Sequence, residues 1–120
     1  MIVVDASTLT QALADDGRPG RLVRARLRRE RLHAPSLVDL DVMSAIRRKL
    51  ASGGMSEDRA VFALRAFARL RLHRTSHRPL LPRVWALRHN LTPYDAAYVA
   101  LAEALDVPLV TADARLARAT

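Results

Sequence analysis

The chain reads LTPYDAAYVALAEALDVPLVTAD over residues 91–113, and this stretch predicts a helix followed by a strand. Thr92 offers a helix N-cap hydroxyl, and Pro93 suits the first helical position, where its missing N–H is no loss. Asp95 stands three residues after the cap, at the acidic position of a capping box. Residues 96–105 are good helix formers and apolar on nearly every face, which indicates a helix packed into a core.

A carboxylate follows each of two apolar strand patterns. Residues 106–108 (DVP) end the helix, residues 109–111 predict a short buried strand, and Asp113 comes just after it. The opening strand, residues 2–4 (IVV), is followed by Asp5. Parallel sheets place ligands at the carboxyl ends of their strands, so neighbouring strands would bring these two side chains together.

The other patterns complete an alternation of strands and helices. They predict a short helix after residues 5–8, a loop over 15–20, a helix over 21–31 and a strand over 32–35. Two helices follow, the first capped by Ser36 and running to about 50, the second capped by Ser56. A strand over 70–75, a helix over 80–89 that begins near Pro82, and a last helix from 115 complete the series. The inward-facing apolar residues are expected to be Val23, Leu27, Val38, Val42, Ile46, Leu50, Val61, Leu64 and Phe67, and the helix over 80–89 carries Val84, Trp85 and Leu87. We therefore predict an α/β fold with a central parallel sheet, built as one domain over residues 1–120.

The amino-acid composition excludes some kinds of functional site and favours certain kinds of partner. Cysteine is absent, which excludes disulfides, thiol catalysis and thiolate metal sites. Neither a signal peptide nor an apolar run of membrane-spanning length is evident, so a cytoplasmic protein is expected. The net charge is +8 and Lys49 is the only lysine, which favours a nucleic-acid or acidic-protein partner. A GC-rich genome, or arginines that merely solvate helices, would give the same composition.

Four aspartates are candidate ligands for a hard divalent cation: Asp5, Asp41, Asp95 and Asp113. Converging carboxylates repel one another unless a cation neutralises them, and Mg²⁺ or Mn²⁺ prefers such oxygen donors. Taken singly, each has another explanation as a helix cap or a solvated surface residue. Asp39 would point away from Asp41 on a helix, and we prefer Asp41 as the ligand.

Nearby polar residues are candidate supports for these carboxylates. Ser7 and Thr111 stand beside Asp5 and Asp113, and each could support a ligand or form only a local turn hydrogen bond. Asn90 precedes the 92–105 helix and could orient a carboxylate or cap the preceding helix. The histidines show no metal-ligand spacing, and Tyr98 is expected in the core.

The chain resembles the PIN-domain nucleases and, among them, the VapC-type toxins of bacterial toxin–antitoxin pairs. The resemblance lies in the segments MIVVDAS, APSLVDLDVMSAIRR, WALRHNLTPYDAAYVALAEAL and PLVTADARLARA, which span the chain from end to end. It implies a three-layer α/β/α sandwich, Mg²⁺- or Mn²⁺-dependent cleavage of RNA, a cognate antitoxin that blocks the pocket, and a homodimer. The family's acidic positions map onto Asp5, Asp41, Asp95 and Asp113, and its polar positions onto Ser7, Thr111 and Asn90.

Two features depart from the family pattern. The family usually has glutamate where this chain has Asp41, so the carboxylate is drawn back by about one methylene. PIN domains usually close with a further strand after the region equivalent to residues 115–119, and we expect this edge strand to be either missing here or supplied otherwise.

The leading hypothesis is a metal-dependent endoribonuclease toxin that hydrolyses phosphodiesters with activated water and leaves 5′-phosphate and 3′-hydroxyl ends. The alternative is a catalytically weak PIN-like module that binds RNA or protein. A phosphoacceptor or phosphatase domain fits poorly, because no DxDxT-like run follows the first strand and Lys49 lies in a predicted helix.

Overall fold

A four-stranded parallel sheet forms the centre of the computed structural model, which describes residues 1–119. Its strands are β1 (Ile2–Val4), β2 (Leu32–Pro35), β3 (Leu72–Thr75) and β4 (Leu109–Val110), in the spatial order β3-β2-β1-β4. In the register, Val3 pairs with His33 of β2, and Val4 pairs with Val110 of β4. The predicted parallel α/β fold is confirmed, and β1 and β4 are neighbours.

Helices surround the sheet and bury its strands in two apolar clusters. They are α1 (Ala6–Ala14), α2 (Arg18–Leu27), α3 (Val38–Ala51), α4 (Glu57–Arg69), α5 (Leu81–Ala86, after a 3-10 turn at Arg78–Leu80), α6 (Pro93–Leu105) and α7 (Ala114–Ala119). One cluster joins β1 to α1, α3 and α4, and the other joins α5 and α7 to α6. Helix α6 contributes to both, which explains why its residues are apolar on nearly every face.

The predicted start and end of α6 are confirmed. The Thr92 hydroxyl accepts the Asp95 backbone N–H at 3.2 Å, and Pro93 is the first helical residue. All seven residues 96–102 are buried. Asp106 ends the helix in the left-handed conformation, with φ of 53°.

Helix α2 is displaced toward the N-terminus from its predicted position. It begins at Arg18 rather than at 21, because Pro19 suits a first helical turn and Gly20 lies against the preceding loop. A Cβ on Gly20 would lie 1.9 Å from the Asp15 carbonyl oxygen, so only glycine allows this approach. The helix ends at Leu27 rather than at 31, and turn residues lead into β2.

Two further local predictions, those for Ser36 and Val61, are wrong, and Trp85 lies outside the core. Ser36 does not cap α3, because its backbone N–H donates to the Thr75 carbonyl at 2.9 Å and so continues the β2–β3 pairing. On α4 the small residues Ala60 and Ala63 face the core, while Val61 is exposed. Trp85 is 67% exposed, because α5 turns only its Val84 side toward the core.

The edge strand β4 and the internal strand β1 differ in how far they are buried. Strand β4 was predicted to be buried but is only half-buried, because it lies at an edge of the sheet, whereas β1 is fully buried. In residues 1–119 the chain forms only α7 after β4, with no further strand. No helix within this range is long and apolar enough to cross a membrane.

Candidate metal and RNA site

One cleft of about 520 Å³ is lined by all four predicted carboxylates. Asp5 follows β1 and Asp113 follows β4, so both reach the cleft from the carboxyl ends of adjacent strands. Asp41 lies in the first turn of α3 and Asp95 in the first turn of α6. Strand pairing and two helix starts therefore bring together residues up to 108 positions apart in the sequence.

Asp5 is almost fully buried and is held by hydrogen-bond donors on both oxygens. The Ser7 hydroxyl donates to Oδ1 at 2.8 Å, and the Thr8 N–H donates to the same oxygen at 3.0 Å. The Thr8 hydroxyl lies 2.9 Å from Oδ1, and the Thr111 hydroxyl donates to Oδ2. A buried carboxylate surrounded by donors is held in one orientation as an acceptor. The same contacts make Asp5 the N-cap of α1, so capping and a place in the cleft coexist.

Ser7 and Thr111 also join the two strand ends to each other. The Ser7 hydroxyl accepts the Ala112 N–H at 3.2 Å, and the Thr111 hydroxyl accepts the Asp113 N–H at 3.0 Å. Both hydroxyls thus contact Asp5 and the segment that carries Asp113. Their position is that of groups that orient carboxylates, as the sequence suggested.

Asp41 is fixed by a contact from the core. The hydroxyl of Tyr98, a side chain 1% exposed, donates to Asp41 Oδ2 at 2.8 Å. Burial raises the pKa of the Asp41 carboxyl, the hydrogen bond from Tyr98 lowers it, and the charge of Asp95 adds to the rise. Burial and the nearby Asp41 charge also raise the pKa of the Tyr98 hydroxyl, which stays protonated as the donor.

Asp95 and Asp113 share an arginine. Arg115 Nη2 lies 2.9 Å from Asp95 Oδ2 and 3.5 Å from Asp113 Oδ2, and its hydrogen bond to Asp95 raises the Arg115 pKa. Asp113 also accepts the N–H of Arg115 and of Leu116 on Oδ1, at 2.9 and 3.3 Å, which caps α7. Asp95 accepts no cap hydrogen bond, so its carboxylate is committed only to Arg115 among the described contacts.

Two candidate residues lie elsewhere. Asn90 is exposed and does not line the cleft. Asp39, on the same helix turn as Asp41, instead accepts a bidentate hydrogen bond from Arg74, with the shortest distance 2.7 Å. The structure thus separates the two aspartates as helical geometry predicts.

Three residues that hydrogen-bond to the predicted carboxylates were not predicted to do so: Thr8, Tyr98 through its hydroxyl, and Arg115. A fifth carboxylate, that of Asp15, also lines the cleft, and the sequence indicated it only as part of a loop. Thr8 stands three residues after Asp5, the spacing of a helix cap, and this signal was available in the sequence. The contact of Tyr98 with Asp41 spans 57 residues, and only the packed fold shows it.

The donor set suits a hard divalent cation in kind, because carboxylate and hydroxyl oxygens are what Mg²⁺ and Mn²⁺ prefer. In residues 1–119, no three acidic or histidine side chains are grouped closely enough to hold a metal ion. Arg115 lies between two of the carboxylates and supplies the positive charge there.

Comparison with known proteins agrees with this architecture. The model of the PIN domain family matches residues 2–120. Ribonuclease VapC1 of Mycobacterium tuberculosis is 48% identical over 118 residues, which cover 98% of this chain and 89% of that protein. Ribonuclease VapC9 of the same organism is 46% identical over 116 residues, covering 97% and 88%.

Solved structures share the fold at much lower identity. The crystal structure of Mycobacterium tuberculosis VapC20, described as a sarcin–ricin loop cleaving toxin, superposes with a TM-score of 0.71. The match covers 99% of this chain and 95% of that one at 13% identity, so it carries the fold alone.

Proposed function

This chain belongs to the PIN-domain family, and we propose that it is a metal-dependent endoribonuclease, the toxin of a toxin–antitoxin pair. The observation that carries the proposal is the meeting of Asp5, Asp41, Asp95 and Asp113 on one cleft. Near-full-length similarity to two proteins named ribonucleases supports RNA as the substrate.

The four aspartates would hold Mg²⁺ or Mn²⁺. A bound ion of this kind activates water and offsets charge on a phosphate. Asp5 is preorganised by the hydroxyls of Ser7, Thr8 and Thr111, so little reorientation is needed there. Asp41 is held by Tyr98 on Oδ2, which leaves Oδ1 available to the cleft. Arg115 lies on Oδ2 of Asp95 and near Oδ2 of Asp113, so it competes with an ion for these two oxygens.

The partners follow from the same proposal. RNA is the substrate, hydrolysis leaves 5′-phosphate and 3′-hydroxyl ends, and a cognate antitoxin controls access to the cleft. An antitoxin side chain with positive charge would be attracted to the four carboxylates. We also propose that the protein is a homodimer and that it acts in the cytoplasm, where a toxin of this kind would meet cellular RNA.

A second candidate function is a PIN-like module that binds RNA or protein and cuts weakly. It is favoured by the short Asp41 side chain and by the lack of a three-group metal cluster within residues 1–119. Metal affinity separates the two functions. Carboxylates that repel one another should make millimolar Mn²⁺ raise the melting temperature of the enzyme, and an unchanged melting temperature supports the binding module.

The direct test is cleavage of total bacterial RNA by the purified protein with Mg²⁺, with Mn²⁺ and with EDTA, followed by analysis of the new ends. Cleavage that stops in EDTA and resumes when Mn²⁺ is added in excess supports the proposal. Cleavage that persists in EDTA, or that leaves 2′,3′-cyclic phosphate, contradicts it.

A further inference from the structure

The cleft has a basic wall beside its acidic one. Arg48 and Lys49, in the last turn of α3, line the same cleft as the four aspartates. Asp41 begins that helix and Arg48 follows two turns later, about 10 Å along the axis and on nearly the same side. Helix α3 thus carries both a carboxylate and a cation along the cleft.

These two cations have no acidic partner at ion-pair distance in the part of the chain that the structure describes. Arg48 donates through Nη1 to the Ser44 hydroxyl at 3.0 Å, which leaves its other donors for a ligand. Several other arginines are paired, among them Arg59 with Asp16 and Arg74 with Asp39. Other arginines, such as Arg47 and Arg65, also lack an ion-pair partner within residues 1–119, and Arg48 and Lys49 differ from these two in lining the cleft.

Helix α1 adds polar atoms to the same cleft. Thr10 and Gln11 line it, and the Thr10 hydroxyl is a buried atom without a hydrogen-bond partner within residues 1–119. Helix α1 therefore contributes polar residues to the same cleft as Arg48 and Lys49.

We propose that Arg48 and Lys49 bind backbone phosphates of RNA next to the phosphate that is cut, and so hold the strand across the carboxylates. This rests on the proposed function. Arginine and lysine are the usual partners of nucleic-acid phosphates, and such contacts fix position without reading sequence. We favour RNA over an acidic protein segment because the proposed function already brings the phosphate to be cut into this cleft.

The test measures binding of a fluorescent single-stranded 12-mer of uridine by anisotropy, in EDTA, so that binding is read without cleavage. Arg48→Gln, Lys49→Gln and the double variant are compared with Arg47→Gln, which removes one charge from the same helix outside the cleft. All three residues lie near the C-terminal end of α3 and none of them is buried, so the variants should fold like the wild type.

The double variant should bind about tenfold more weakly than the wild type at 0.1 M salt, with Arg47→Gln unchanged. Each lost phosphate contact should reduce the slope of log affinity against log salt by roughly 0.7. Arg48→Lys should restore most of the affinity lost in Arg48→Gln.

Equal losses in the Arg47 and Arg48 variants, or no binding by the wild type, would overturn the proposal. Unchanged RNA binding in the variants, together with weaker binding of poly-glutamate, would also overturn it, because Arg48 and Lys49 would then bind an acidic protein partner. The proposed function fails by a different result, which is cleavage that is absent or insensitive to EDTA while binding in EDTA still depends on Arg48.

Discussion

The Tyr98 hydroxyl donates a 2.8 Å hydrogen bond to Asp41 Oδ2, and so joins the buried helix α6 to the first turn of α3. Asp41 stands where the family usually has glutamate, and its shorter side chain has less reach. The hydrogen bond fixes Oδ2 of Asp41 and thereby orients Oδ1. It limits the motion of the carboxylate but does not restore the reach of a longer side chain. Tyr98 is thus a positioning residue for the candidate site.

Tyr98→Phe should therefore lower stability and RNA cleavage together. The substitution keeps the ring in the core but removes the donor to a partly buried carboxylate, which costs about 1–3 kcal/mol. Urea unfolding measures the loss. Tyr94→Phe is the matched control, because Tyr94 lines the same cleft but is 63% exposed. Equal stability of the Tyr98 and Tyr94 variants would show that the hydrogen bond has no energetic role.

Arg115→Gln should increase the affinity for Mn²⁺. The Arg115 guanidinium lies between Asp95 and Asp113, and a divalent ion that binds the Oδ2 atoms of both must displace it. The ion pair is exposed, so its loss should tighten Mn²⁺ binding only by roughly two- to fivefold. The measurement is calorimetric titration of the metal.

The control for this prediction is Arg118→Gln, on the same helix and outside the cleft. If both variants bind Mn²⁺ as the wild type does, Arg115 does not compete with the metal. If Arg115→Gln binds Mn²⁺ more weakly, the ion pair instead organises the two carboxylates.

Stability should fall as the pH drops below about 6.5, in part because of His33. Burial lowers the pKa of His33, and the charge of His73 lowers it further. At a pH between the two pKa values, the unfolded chain binds a proton at His33 and the folded chain does not. The stability that His33 contributes is therefore full above about pH 6.5 and is lost as the pH falls toward the lowered pKa.

Thermal unfolding between pH 5 and 7.5 measures this effect. His33→Gln should flatten the dependence, whereas His89→Gln, at an exposed position, should leave it as in the wild type. A slope that is the same in all three proteins would remove His33 as the cause.

Local sequence signals predicted the parts of the fold that local chemistry determines. Thr92 and Pro93 marked the start of α6, and Ser56 marked that of α4, where its hydroxyl accepts the Arg59 N–H at 3.1 Å. The strand starts and ends of β1 and β2 were also predicted. In each case the responsible residues are neighbours in the sequence.

The errors occur where tertiary contacts override these signals. Ser36 has the side chain of a cap, yet its backbone N–H pairs with β3. Val61 is apolar but exposed, because α4 packs through the smaller Ala60 and Ala63. In the cleft, strand-end position indicated Asp5 and Asp113, whereas the ion pair of Arg115 depends on the placement of α6 against α7.

The central claim is that the carboxylates of the cleft, as a group, support metal-dependent cleavage. RNA cleavage by Asp95→Asn, measured beside the wild type with Mn²⁺ and with EDTA, tests it most directly, because Thr92 rather than the Asp95 side chain caps α6. Asp106→Asn is the control, since Asp106 lies at the other end of that helix and outside the cleft, and asparagine tolerates its left-handed conformation. Mn²⁺-dependent cleavage should fall at least about 100-fold in Asp95→Asn and should be unchanged in Asp106→Asn. Cleavage by folded Asp95→Asn at the wild-type rate would contradict it.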